Sequence, residues 1–142
     1  MLQPLQIVLS GQPGEREIVV RGLQEFCREW RMPRAVANAA DVALEEHLTN
    51  VLTYGYEPGA PHRVVVGLKV EGDCLCVDVE DDGKPFDPLA TPRADTSLPL
   101  EDKPIGGLGV HLMRQFMDEL SYVRESGMNI LRMTKRFGAP AD

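Results

Sequence analysis

Two β-branched runs stand almost back to back near the middle of the chain: RVVVGLKV, from Arg63 to Val70, and CLCVDVED, from Cys74 to Asp81. Only Glu71-Gly72-Asp73 separates them. Alternating apolar residues on either side of a short glycine-bearing turn specify an antiparallel hairpin. A second pair of the same kind, SYVRES and NILRMTKRF around Gly127, follows later in the chain. Strands that succeed one another directly leave no room for crossover helices, so a doubly wound parallel sheet is disfavoured.

The rest of the apolar pattern is helical, apart from one short strand, Leu5 to Leu9, which the turn residues SGQPGE follow. Ile18, Val19, Leu23, Phe26, Cys27 and Trp30 then mark a first helix, and Val36, Ala40, Leu44, Leu48, Val51 and Leu52 the buried stripe of a second that stops near Gly55. Behind the glycine cluster at 106–109, Leu108, Leu112, Met113, Phe116, Met117 and Leu120 predict a third helix. Residues 84–105 are rich in Pro, Asp and Thr and lack an apolar period, as expected of a lid over a site. The order β-α-α-β-β-lid-α-β-β predicts an α+β, two-layer sandwich: a mixed, largely antiparallel sheet with helices on one face, one domain over residues 1–142.

A chain of 142 residues is long enough to bury a core without staples. Its 22 acidic residues against 15 basic give a net charge of -7 with no Lys/Arg run, which argues against direct nucleic-acid binding. The three cysteines form neither a disulfide framework nor a zinc pattern, and no window approaches the roughly 20 apolar residues of a membrane span. A cytoplasmic protein away from the membrane is expected.

Several features carry chemistry. Glu46 and Asn50 lie one helical turn apart, about 200° around from Leu44 and Leu48, where a carboxylate and an amide oxygen suit Mg²⁺-dependent phosphoryl chemistry. Asp81 ends the apolar row Leu75, Val77, Val79, and Gly83 beyond it lets backbone approach a ligand. Gly106-Gly107-Leu108-Gly109 opens a helix and offers amide N–H groups to an anion. Each has a plain alternative when taken alone: a solvated helix face, an acidic turn and a tight turn, respectively. Acid, lid and glycine cradle in succession are together what a nucleotide pocket requires.

In that order EEHLTNVLTYGY, VEDDGKPFDP and GGLGVHLMRQFMDEL resemble the three ATP-binding boxes of the GHKL superfamily, which includes gyrase and histidine kinases. The nearest likeness is to the small anti-sigma-factor serine/threonine protein kinases, extending to the closing NILRMTKRF. Pro85 stands where the broader superfamily has a second glycine, as it does in the anti-sigma branch, and Tyr54-Gly55-Tyr56 replaces the usual His after the Asn box.

The resemblance implies the Bergerat ATP-binding fold, with ATP and Mg²⁺ as cofactors. Glu46 would be the base that accepts the proton of the attacking hydroxyl, and Asn50 the Mg²⁺ ligand. Asp81 would accept from the adenine amine, with Gly83 making room for the base. Gly107, Leu108 and Gly109 would hold phosphate oxygens. The implied activity is phosphorylation of a STAS-type anti-anti-sigma protein by a kinase that also sequesters a sigma factor. Exposed parts of the first strand and helix would support a homodimer. The alternatives are a module that uses ATP to set partner affinity without phosphotransfer, and an α+β domain that binds no nucleotide.

Overall fold

The computed structural model describes residues 3–90 and 107–138. Along the chain run β1 (Leu5–Leu9), α1 (Glu15–Glu29), α2 (Arg34–Tyr54), β2 (Val64–Glu71), β3 (Cys74–Asp81), a 3-10 turn at Pro88–Ala90, α3 (Gly107–Phe116), β4 (Glu119–Glu125) and β5 (Met128–Arg136).

Local chemistry sets the boundaries. Gly14, at φ 83°, turns the chain into α1, whose first residue reaches back: the Glu15 carboxylate accepts from the backbone N–H groups of Ser10, Gly11 and Gln12 at 2.8–2.9 Å. Pro33, with φ fixed at -56°, sits immediately before α2. The β4–β5 turn places both Ser126 and Gly127 at positive φ (54° and 78°), the twist a two-residue hairpin needs.

The five strands pair in the order β1-β2-β3-β5-β4, antiparallel at every junction, a narrower arrangement than the mixed sheet expected. Register aligns the helix-facing residues in rows. Leu68, Val77 and Met133 form one row; Val66, Val79 and Leu131 form the next. These six are at most 1% exposed, and α1, α2 and α3 contribute Leu23, Leu44 and Met113 to the same core. The two-layer α+β sandwich is therefore as expected. The following row, Val64, Asp81, Asn129, turns polar while remaining buried.

Two local expectations are corrected. The third helix does not extend to Leu120: α3 ends at Phe116 and Leu120 lies in β4. The chain is drawn into the sheet at Asp118, whose N–H donates to Thr134 O at 2.8 Å and whose carboxylate accepts from Arg136 N at 2.6 Å. On α2 the buried stripe runs through Ala43, Leu44, His47, Asn50 and Val51, while Leu52 is 48% exposed. Leu52 lines an open cleft of about 530 Å³ between α1, α2 and the end of β1, and Leu48 borders the same cleft while packing against the core, as expected. The lid expected at 84–105 falls mostly outside the described residues; Lys84 to Ala90 is an irregular stretch ending in the 3-10 turn.

Candidate functional site

The polar row at the end of the sheet is the centre of the site. Asp81 points from the central strand β3 into the protein and is 3% exposed. Its Oδ1 accepts two hydrogen bonds, from Gly83 N and from Asn129 Nδ2, both at 2.9 Å. Among the described residues no donor engages Oδ2. Burial raises the Asp81 carboxyl above the usual carboxylate range, and the Asn129 and Gly83 hydrogen bonds only partly oppose it.

Asn129 has its bonding capacity fully used. Besides Asp81, its Nδ2 donates to Lys84 O at 2.8 Å, and its Oδ1 accepts from Phe86 N at 3.3 Å and from the Tyr122 hydroxyl. The loop after Asp81 is thereby fixed to β5. Arg124 Nη1 adds a bond to Gly83 O at 2.9 Å, and Lys84 N donates to Gly55 O at 2.8 Å, tying the loop to the end of α2. Gly83 is required by this closeness: a Cβ there would lie 2.7 Å from Gly55 O and 3.0 Å from Asp81 Oδ1.

Beside this loop, Tyr56 donates its hydroxyl proton to Asp82, whose carboxylate also accepts from Arg63 N at 3.2 Å. Burial first, then the bond to Asp82, pushes the Tyr56 hydroxyl well above its ordinary range. This arrangement anchors the chain entering β2 and leaves Asp81 as the inward-facing acid.

A hollow too narrow for water opens beside Asp81, lined by His47, Val51, Gly55, Phe86, Tyr122 and Asn129, among others. His47 is 3% exposed and among the described residues neither ring nitrogen has a hydrogen-bond partner; burial lowers its pKa to about 4. One turn on, Asn50 is 5% exposed and its Nδ2 is likewise unpartnered. Each idle buried donor or acceptor costs roughly 1–3 kcal/mol relative to a satisfied one. An unused carboxylate oxygen and unsatisfied buried groups around one hollow suit a planar ligand that brings both donors and acceptors.

The structure brings Asp81 and Gly83 together at this hollow. Glu46 and Asn50 lie on the neighbouring turns of α2 but do not line it, Glu46 half-buried and Asn50 buried. Asn50 therefore belongs to the inner face of the helix, contrary to the expectation that the pair avoids the core stripe. Gly107, Leu108 and Gly109 form the first turn of α3, which packs against α2. Sequence reasoning missed His47 and Asn129. The available signal was phase: Asn129 alternates with Leu131 and Met133, and His47 falls four residues from both Ala43 and Val51.

Comparisons with known proteins give the family and the fold. Serine/threonine-protein kinase BtrW of Bordetella bronchiseptica is 32% identical over 90 residues, 63% of this chain and 63% of that protein. Serine-protein kinase RsbW of Bacillus cereus is 33% identical over 98 residues, 66% of this chain and 60% of that protein. The matched stretch is less than two thirds of either relative's own length. In fold, the RsbU and RsbW domains of a Mycobacterium tuberculosis protein superpose with a TM-score of 0.69 at 19% identity, covering 99% of this chain and 34% of that one. A blue-light activated histidine kinase of Erythrobacter litoralis gives 0.55 at 22%, covering 75% and 32%. The description "Histidine kinase-like ATPase domain" matches residues 10–135, and the chain belongs to that family.

Proposed function

We propose that the chain is an ATP-binding serine/threonine protein kinase that phosphorylates a STAS-type anti-anti-sigma protein and sequesters a sigma factor. The observation that carries the nucleotide part is Asp81: a buried carboxylate with one oxygen held by two donors and the other left to accept from a ligand. Adenine fits this site because its exocyclic amine donates where Oδ2 accepts, and Gly83, packed against Gly55 O, lets the loop that holds Asp81 lie close to the end of α2. The kinase part is supported by the two curated relatives, both described as protein kinases of serine or of serine/threonine.

ATP with Mg²⁺ supplies a transferable phosphoryl group whose charge the cation offsets. In this reading the Asn50 carboxamide holds the cation and Glu46 takes the proton of the incoming hydroxyl. The backbone N–H groups of Gly107, Leu108 and Gly109 open the ten-residue helix α3, where the helix dipole favours phosphate oxygens. Residues 84–105 serve as the lid of a single domain, 1–142. Self-association would use β1, an edge strand with Val8 52% exposed, and α1, with Ile18 57% exposed.

Calorimetric titration of ATP, with and without Mg²⁺, tests the nucleotide reading. Wild type should bind in an Mg²⁺-dependent manner, Asn50→Ala should lose that dependence, and Asp81→Asn should bind at least tenfold more weakly. No heat of binding with folded wild type would overturn it. Glu46→Gln then separates a kinase from an ATP-dependent binding module, since it should abolish phosphate transfer to a STAS-type protein while sparing ATP binding.

A further inference from the structure

We propose that His47 is a base-recognition residue: its imidazole hydrogen-bonds a ring nitrogen of the adenine whose amine is accepted by Asp81. The inference rests on the nucleotide-binding reading above and adds to it a residue to which that reading assigns no role.

The first argument is the state of the ring. His47 is 3% exposed, and among the described residues both Nδ1 and Nε2 lack a partner. The hollow it faces is too narrow for water, so solvent cannot satisfy either nitrogen. Packing alone would favour Leu or Met at this position, whose neighbours on the stripe include Ala43, Leu44 and Val51. With its pKa near 4 the ring is neutral at physiological pH and offers one donor and one acceptor.

The second argument is what else surrounds the hollow. Asn129 is used up by Asp81, Lys84, Phe86 and Tyr122, and Asp81 Oδ1 by Gly83 and Asn129. Among the described residues lining the hollow, the side-chain bonding groups left for a ligand are two acceptors, Asp81 Oδ2 and the Tyr122 hydroxyl oxygen, and the imidazole, the one that can also donate. Adenine presents an amine flanked by N1 and N7, ring nitrogens that accept. An acceptor and a donor side by side complement that edge. Guanine places a carbonyl where the amine would be, opposite the carboxylate, and is disfavoured. The hollow must widen to admit a purine. Phe86, in contact with Tyr54 at 5.5 Å between ring centroids, lines it from the irregular loop.

The test is calorimetric titration of ATP, 1-deaza-ATP and 7-deaza-ATP into wild type, His47→Leu and His47→Gln, alongside thermal unfolding of each ligand-free protein. Wild type should bind one of the two analogues about tenfold more weakly than ATP, the effect of one lost hydrogen bond. His47→Leu should bind ATP about tenfold more weakly and no longer distinguish that analogue from ATP. His47→Gln, which keeps a donor and an acceptor, should retain the distinction. Ligand-free His47→Leu should melt no lower than wild type, separating the loss of affinity from loss of fold.

Equal binding of ATP and both analogues by wild type would overturn the proposal, as would discrimination that persists in His47→Leu. If His47→Leu does not fold, the wild-type analogue series and His47→Gln decide. Wild type that binds no ATP would overturn the nucleotide reading and this inference together; wild type that binds ATP without discriminating overturns only the latter.

Discussion

Asn129 of β5 donates its Nδ2 to Asp81 Oδ1 of β3, 2.9 Å away, across two residues paired directly in the sheet. The same carboxamide bonds the backbone at Lys84 and Phe86, so one side chain holds both the acid and the loop that leaves it. Asn129→Ala should lower stability by about 2–4 kcal/mol, because several buried groups lose a partner at once. Urea denaturation reads this directly. A loss under about 0.5 kcal/mol, the scale of an ordinary surface change, would mean the network relaxes without it.

Gly83→Ala forces a Cβ to 2.7 Å from Gly55 O, a backbone atom at the end of α2. Either the loop or the helix end must shift, at a cost of about 1–3 kcal/mol. Since the loop carries the Gly83 N–H that holds Asp81, ATP affinity should fall by more than stability. Chemical denaturation and titration on the same preparation compare the two losses.

His47 makes stability depend on pH with a definite sign. Its folded pKa, about 4, lies below the ordinary 6.5, so its contribution is complete above about pH 6.5 and is lost as pH falls through about 4. The full loss is roughly 3 kcal/mol. Asp81, raised by burial, acts in the opposite direction, gaining stability as pH falls. Unfolding free energies of wild type and His47→Leu between pH 7.5 and pH 4 should therefore diverge, with His47→Leu, no less stable at neutral pH, gaining relative to wild type as pH drops. A constant difference across that range would contradict an imidazole buried in its neutral form.

On the open face of the sheet, Arg132 Nε donates to Asp78 Oδ1 at 2.8 Å, with side-chain exposures of 43% and 28%. Solvent screens the pair, and a double-mutant cycle of Arg132→Ala with Asp78→Ala should return a coupling of about 0.5 kcal/mol. The coupling should shrink further at about 1 M salt. A value above about 2 kcal/mol would indicate that this face is covered in solution.

The hairpins were legible because a two-residue period interrupted by Gly72 or Gly127 has few other readings. Asp81 was legible for the same reason, being in phase with Leu75, Val77 and Val79. The end of α3 was not: Met113, Phe116, Met117 and Leu120 keep a helical interval, yet Leu120 belongs to β4. The hydrogen bonds of Asp118 to β5 decide that boundary, and partners that distant leave no trace in a local period. On α2 the apolar period gave one stripe, of which Val36, Ala40, Leu44 and Val51 are buried; the burial of the polar His47 and Asn50 beside it left no apolar signal to read. Asn129 opened the expected strand NILRMTKRF, but nothing local marked its side chain as the partner of a carboxylate 48 residues away.

The two halves of the acid-holding pair are 48 residues apart in sequence, with α3 and β4 lying between them. Asp81 emerges from a ribosome well before its carboxamide partner exists. Until β5 docks beside β3, the carboxylate has at most the Gly83 N–H to hold it, and the loop as far as Phe86 has no anchor on the sheet. In the nucleotide reading, ligand capture would wait for the completion of the sheet. A nascent or truncated chain with its first hairpin already formed should be blind to the ligand, so unfinished copies would neither consume nor compete for it.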